Sequence, residues 1–405
     1  MHYATTENIH TTYAEKPRQK VSFFRKVRHA VHSLETRWDH VRLSFKHRFN
    51  LMDPVIIFPY RGLGNNREVY IKGRIQENEG LAVEKREDMT VWENIRLMYR
   101  RYESDEIPYL PIKGTFYGET IETRADDEGY FEMHFKPGKD LVDPNTEWHH
   151  VDLHCPAHKY TLDKDLHARA HVLIPNEKAA FGVISDVDDT ILKSNITNFF
   201  GKIKTLLMND AKSRVAFPGI AAFYRELRKG TSNEEVNPIY YVSGSSYNIY
   251  DLLDRFCEVK EIPKGPFMLR ELGYTRDQVF MQDTLGYKVS MIQRVLSYYP
   301  DLSFVMVGDS GQKDPEIYRK IVKQYPGKIK AIYIRNIDQS EQRQSEITAI
   351  ARELHGWGVP MLLIDSTKEA ARHAAELGLI TEEGKQNVID DADKDLREEA
   401  QANAN

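Results

Sequence analysis

Apolar residues recur along this chain in three successive rhythms, and each predicts a different kind of element. Between residues 20 and 50, Phe24, Val27, Val31, Leu34, Trp38, Val41 and Phe45 follow at intervals of three or four. That spacing puts them on one stripe of a helix of about twenty-five residues. From 51 to 177 the rhythm shortens towards alternation. Val55-Ile56-Ile57-Phe58-Pro59-Tyr60-Arg61-Gly62 and Glu68-Val69-Tyr70-Ile71-Lys72-Gly73-Arg74-Ile75 predict strands around a Gly-Asn-Asn turn, and 92–102 predicts a helix. Asp126-Asp127-Glu128-Gly129 predicts a turn leading into Tyr130-Phe131-Glu132-Met133-His134-Phe135, which alternates as a half-exposed strand does. From 178 to 380 wholly apolar runs alternate with amphipathic helical segments, the pattern of an open parallel α/β sheet. A helix at 367–377 precedes an acidic tail at 381–405, where eight Asp or Glu face three Lys or Arg and the tip is expected to be disordered.

Chemistry concentrates where the apolar runs of the third region stop. Phe181-Gly182-Val183-Ile184 leads into Ser185-Asp186-Val187-Asp188-Asp189-Thr190. Strand period puts Asp186 and Asp188 on one side, roughly 6.5 Å apart along the chain. Two carboxylates there can divide labour, one attacking an electrophile or holding a metal, the other moving a proton. Pro238-Ile239-Tyr240-Tyr241-Val242 ends in Ser243 and Gly244; Lys288 opens the amphipathic segment Val289-Ser290-Met291-Ile292-Gln293-Arg294-Val295-Leu296; and Leu302-Ser303-Phe304-Val305-Met306-Val307 ends in Gly308-Asp309-Ser310-Gly311-Gln312-Lys313-Asp314. In an open parallel sheet the carboxyl ends of strands converge on one crevice, so these groups are expected to meet.

Asp-x-Asp-x-Thr, a strand-terminal Ser, a Lys and Gly-Asp-x-x-x-x-Asp together resemble the four motifs of the haloacid dehalogenase superfamily. Phe217-Pro218-Gly219-Ile220, Gly265-Pro266-Phe267-Met268-Leu269-Arg270 and the segment from Gly308 to Tyr318 are similar to the actin-patch-protein type of phosphatidate phosphatase. The resemblance covers the catalytic unit, about residues 178–370, and weakens back towards 55. It implies a Rossmann-like haloacid dehalogenase catalytic domain, here preceded by a small β-sandwich-like domain and a basic N-terminal helix. No proline-rich tail of the kind fungal members use to bind actin-patch proteins is present, so the resemblance is to the catalytic unit.

A phosphomonoester is an anion that resists another anion, so the site must neutralise charge before a carboxylate can attack. Magnesium does so through hard oxygen ligands. Asp186, Asp309 and the backbone carbonyl of Asp188 are the expected ligands, while Asp314 either joins them or orients Lys288. Lys288 adds positive charge at the phosphoryl group, and Ser243 with the amides around Gly244 donates hydrogen bonds to it. The resemblance further implies attack by Asp186, proton transfer by Asp188, an aspartyl-phosphate intermediate, a loop fixed by Thr190, and contact of Arg270 with substrate. Asp189 is assigned no role. Phosphatidate is the expected substrate; a soluble phosphomonoester or phosphoprotein would be read by the same motifs, and a membrane-recruited binding module with residual catalytic motifs is the reading outside catalysis. Segment 194–216 is too short for a separate cap domain, so the site is expected to stay open to a large substrate.

At 405 residues the chain suggests two or three domains on a prior of about 150 each, and 41% apolar composition permits real cores. No run of about 18 apolar residues and no signal-peptide pattern is present, and two cysteines, Cys155 and Cys257, fit a reducing cytosol. The net charge of −5 says less than its distribution: residues 16–48 hold ten Lys or Arg against Glu35 and Asp39. A basic amphipathic helix with Phe and Trp on its apolar face suits an anionic membrane surface, giving an expected cytoplasmic, peripherally membrane-bound enzyme. Nucleic acid is not an expected partner, because the basic excess is confined to that helix. Finally, His149-His150-Val151-Asp152-Leu153-His154-Cys155 invites a metal reading, but its alternation predicts a strand with His150, Asp152 and His154 facing solvent.

Overall fold

The computed structural model describes residues 54–78, 107–138, 146–187, 217–231, 237–270 and 284–404. The basic stripe at 20–50, the helix expected at 92–102, Asp188, Asp189, Thr190 and the segment 194–216 lie outside these residues.

Eight strands form the first sheet: β1 Val55–Pro59, β2 Gly62–Gly64, β3 Val69–Glu77, β4 Pro111–Phe116, β5 Glu119–Arg124, β6 Tyr130–Phe135, β7 Trp148–Cys155 and β8 Leu166–Leu173. β1 and β2 run end to end and antiparallel to β3, with Val55 opposite Glu77 and Gly64 opposite Val69, while β6 pairs with β3 through Val69–Phe135. β2 then pairs in parallel with β8, from which β7, β4 and β5 continue antiparallel. The sandwich expectation therefore meets a different connectivity: hydrogen bonding links all eight strands. The reason lies in β2, a three-residue strand that pairs with β3 on one edge and β8 on the other. Gly62 makes this possible, because a Cβ there would stand 2.3 Å from the Tyr70 carbonyl oxygen.

The second sheet has six strands: β9 Gly182–Asp186, β10 Ile239–Ser246, β11 Phe267–Arg270, β12 Phe304–Asp309, β13 Ile329–Arg335 and β14 Met361–Ile364, ordered β11-β10-β9-β12-β13-β14. All five pairings are parallel. The helices that connect and follow them are α1 Ile220–Lys229, α2 Tyr250–Val259, α3 Thr284–Tyr298, α4 Asp314–Gln324, α5 Glu341–Gly356, α6 Thr367–Glu376 and α7 Glu382–Ala404. Alternate residues of each strand enter different cores. Val183, Tyr241, Val305 and Tyr333 pack with α1, α2 and α6, whereas Ile184, Tyr240, Met306 and Ile332 pack with α3, α4 and α5. Burial on both faces is why these strands read as unbroken apolar runs. The α/β class expected from the sequence is what the structure shows.

The two sheets share these cores. Tyr60 and Tyr130 of the first region enter one, and Leu63, Tyr70 and Leu173 enter the other. Arg61 forms an ion pair with Asp254, and Tyr60 stacks on Tyr247 with ring centroids 4.5 Å apart. The acidic C-terminal segment departs from its expectation as a disordered-tipped tail: α7 is helical to Ala404. Val388 and Ala392, four apart, form a narrow buried stripe, and the acids around it find partners. Lys368 pairs with Asp393, Arg225 lies 3.7 Å from Asp391, and the Gly219 amide donates to Asp395 at 2.8 Å. High charge signals solvation only while those charges lack such partners. Cys155 and Cys257 are both buried free thiols.

Candidate active site

Four elements deliver charged side chains to one place beside β9. Asp186 is the last residue of β9 and Asp309 the last of β12, adjacent parallel strands whose carboxyl ends therefore lie together. Lys288 comes from the first turns of α3, and Asp314 opens α4. Carboxylate oxygens of Asp186, Asp309 and Asp314 all lie within 4.8 Å of one another. The Lys288 Nζ stands 2.7 Å from Asp186 Oδ1 and 3.0 Å from Asp314 Oδ1, and donates to Gln312 Oε1 at 3.1 Å. All four charged residues are buried, Asp314 completely and Lys288 to within 2%. Charges removed from water this thoroughly are tolerated only when paired and hydrogen-bonded.

The loop after β12 is built to hold its carboxylates still. Asp309 Oδ1 accepts the Gly311 and Gln312 amides at 2.7 and 3.0 Å, and Asp314 Oδ2 accepts the Asp309 amide at 3.1 Å. Asp314 thus spans from the Asp309 backbone to the Lys288 ammonium. Gly308 is required by this approach, since a Cβ there would lie 2.7 Å from Asp314 Oδ2. Behind the loop, Arg343 of α5 donates to the carbonyls of Ser310 and Gln312 at 2.9 and 2.6 Å and forks onto Glu316 at 2.6 and 3.1 Å. Ser310 Oγ accepts the Ile337 and Asp338 amides, each at 2.8 Å. Burial, followed by the charges of Asp314, Asp186 and Asp309, pushes the Tyr318 phenol well above its ordinary pKa. It stays a neutral donor, bonded to the Val307 carbonyl at 2.8 Å.

Of the residues expected to form a site, Asp186, Lys288, Asp309 and Asp314 come together. Ser243 is buried in β10, where the pairing with β11 shifts register between Val242 and Ser246. Such irregularities turn a strand's end away from its ladder and are frequent beside functional sites. The Ser243 hydroxyl accepts the Ser245 amide at 2.9 Å, and Gly244 follows half-buried. Arg270 pairs with Ser246 in register, so it stands at the same carboxyl edge, half-exposed. Phe217-Pro218-Gly219-Ile220 supports the fold: Gly219 has φ +76° ahead of α1, and the Pro218 carbonyl accepts the Thr367 hydroxyl. Sequence reasoning missed Gln312, Glu316 and Arg343. Arg343 lies on an ordinary-looking helix thirty-three residues from Ser310, and no local signal announces the pairing.

Comparison with known proteins bears on the second sheet. The family "Phosphatidate phosphatase APP1, catalytic domain" matches residues 181–336. Over 155 residues the chain is 30% identical to phosphatidate phosphatase APP1 of Saccharomyces cerevisiae, a match covering 38% of this chain and 25% of that protein. Over 162 residues it is 20% identical to an uncharacterised Schizosaccharomyces pombe protein, covering 40% of this chain and 26% of that one. The matches thus span about a quarter of the length of these curated relatives. Among solved structures, a carbohydrate acetylesterase from Xanthomonas citri aligns over 76% of this chain and 69% of its own at 11% identity and a TM-score of 0.25. Residues 181–336 thus match the phosphatidate phosphatase APP1 catalytic-domain family, in the same region where the motif resemblance was found.

Proposed function

We propose that this protein is a magnesium-dependent phosphomonoester hydrolase of the haloacid dehalogenase type, acting on phosphatidate to yield diacylglycerol and inorganic phosphate. The observation that carries this reading is the convergence of Asp186, Asp309 and Asp314 within 4.8 Å, with Lys288 bonded to two of them, inside the segment that matches a phosphatidate phosphatase catalytic domain.

The donor set fits a hard divalent cation: three buried carboxylates stand within 4.8 Å of one another, and every ligand atom is oxygen. Asp186, Asp309 and the backbone carbonyl of Asp188 would hold it. Both Asp314 oxygens already serve Lys288 and the Asp309 amide, which favours Asp314 as the residue that orients Lys288. When bound, magnesium supplies charge neutralisation at the phosphoryl oxygens.

The residues then divide the work. An Asp186 oxygen attacks phosphorus while the bond to the leaving alcohol oxygen breaks, and Asp188 donates its proton to that oxygen. Lys288, Ser243 and the amides around Gly244 stabilise charge on the transferring group, and Arg270 contacts the substrate beyond it. Asp188 next removes a proton from water, which attacks the aspartyl phosphate and releases phosphate with Asp186 regenerated. The basic stripe at 20–50 brings the enzyme to anionic lipid surfaces. Among the described residues no helix is long and apolar enough to cross a membrane.

Phosphate release from phosphatidate in mixed micelles, compared with a panel of soluble phosphomonoesters with and without magnesium, tests the reading. Preferential, magnesium-dependent release from phosphatidate is expected. Full activity in excess chelator removes the metal, and equal activity on soluble esters removes the lipid. Deletion of residues 1–50 is expected to weaken vesicle sedimentation and activity on phosphatidate while sparing a soluble ester.

A further inference from the structure

The histidine-rich stretch of β7 plays no part in the phosphatase site, and the fold completes it with residues from outside that stretch. β7 and β8 pair antiparallel, with His150 opposite His171, Asp152 opposite Arg169 and His154 opposite His167. Val151, Leu153, Cys155, Ala170 and Val172 are buried, so these facing pairs occupy the outer surface of the sheet. The His154 and His167 rings stack with centroids 4.9 Å apart. Asp165, one residue before β8, reaches the same point, its Oδ2 3.4 Å from His154 Nε2. One ligand atom from each of His154, Asp165 and His167 lies within 4.8 Å of the other two.

Asp165 is held in place by the connecting loop. Its Oδ1 accepts the Ala157 amide at 2.7 Å, which leaves Oδ2 directed to the histidine pair. The loop braces itself through Thr161, whose hydroxyl accepts the His158 amide at 2.9 Å and donates to the Lys164 carbonyl at 2.7 Å. An outer hydrogen bond that orients a ligating carboxylate is a usual feature of a metal centre. Asp152 instead is paired with Arg169 at 3.0 Å, and among the described residues the His150–His171 pair next along the ladder belongs to no three-ligand group.

We propose that His154, Asp165 and His167 form a zinc site that staples the β7–β8 hairpin to its own loop. Two borderline imidazole nitrogens with one carboxylate oxygen suit zinc and are poorly matched to magnesium, which takes oxygen ligands. Zinc bonds of about 2.0–2.2 Å place tetrahedral donors roughly 3.5 Å apart, close to the 3.4 Å already separating Asp165 Oδ2 from His154 Nε2. Three protein ligands leave one position to water. The site is remote in chemistry from the carboxylate cluster: it takes a different ion through different donors.

The full chain, stripped with chelator and returned to excess magnesium so that the oxygen cluster is satisfied, is titrated with zinc against a chromophoric chelator. One zinc per chain is expected. His154→Ala and His167→Ala are expected each to weaken it at least about tenfold, since loss of even an outer-shell partner costs about 10–100-fold. A His150→Ala, His171→Ala double variant is expected to bind as the parent does. Cobalt in place of zinc should give the visible absorption of a four-coordinate centre, lost in His154→Ala. All the altered residues lie on the solvent face of the sheet, and an unchanged thermal transition without metal verifies that the variants fold. Zinc binding that survives in the His154→Ala, His167→Ala double variant, equal loss in the His150→Ala, His171→Ala variant, or no zinc bound by the parent overturns the proposal.

Discussion

Among the described residues, two groups of side chains bring three possible cation ligands within 4.8 Å: Asp186, Asp309 and Asp314 at the ends of parallel strands, and His154, Asp165 and His167 on the open face of a mainly antiparallel sheet. The first is buried and negatively charged, and it contains its own cation, Lys288. The second is solvent-facing and built from two imidazoles and one carboxylate. Burial makes each charge in the first group depend on the others, because a carboxylate withdrawn from water has no alternative solvation. Exposure makes the second group tolerant, because water replaces any lost partner. Similar ligand spacing therefore occurs in a centre whose members are energetically coupled and in one whose members can be changed singly at little cost to the fold.

The largest separation between the two should come at the nucleophile. Asp186→Asn is expected to lower turnover by about 10⁴-fold or more, since the amide keeps the shape but neither attacks nor ligates well. A circular-dichroism spectrum identical to the parent's shows that folding is intact. Turnover within tenfold of the parent would remove Asp186 from that role.

Coupling inside the buried group is tested by Lys288→Met. It leaves Asp186 and Asp314 together without their ammonium, and a stability loss of about 3–5 kcal/mol is expected in urea denaturation. A loss below about 1 kcal/mol would mean that the carboxylates are not coupled in this way.

Arg343→Met acts one layer further out. It removes the fork to Glu316 and two carbonyl contacts that hold the Asp309–Asp314 loop, for an expected loss of about 1–3 kcal/mol and a fall in kcat with little change in KM. Burial alone would raise the Glu316 carboxyl, but the Arg343 hydrogen bonds and charge hold it below its ordinary 4.5. A depressed carboxylate stabilises the folded state above its unfolded value and loses that contribution as pH falls through the folded one. The parent should therefore lose stability on acidification below about 4.5, and this part of the slope should vanish in Arg343→Met.

The smallest effect belongs to the exposed ladder. Arg169→Ala breaks a pair whose side chains are 62% and 68% exposed, and thermal unfolding should register no more than about 0.5 kcal/mol. A larger loss would contradict the solvent-facing description of β7 and β8.

What could be read from residues alone was set by local physics. Unbroken apolar runs announced parallel strands because both faces of β9, β10 and β12 are buried, and a carboxylate or hydroxyl following each run marked the edge where a crevice forms. Alternation in β7 likewise gave His150 and His154 their outward direction. Tertiary structure alone decided the rest. Arg343 holds the Asp309 loop across thirty-three residues, His167 meets His154 only through strand register, and the acids of α7 are held by Gly219, Arg225 and Lys368 from distant segments. Periodicity and propensity report a residue's own backbone and the side it faces. Partners brought together by chain reversal leave no trace in spacing, because many separations along the chain lead to the same contact.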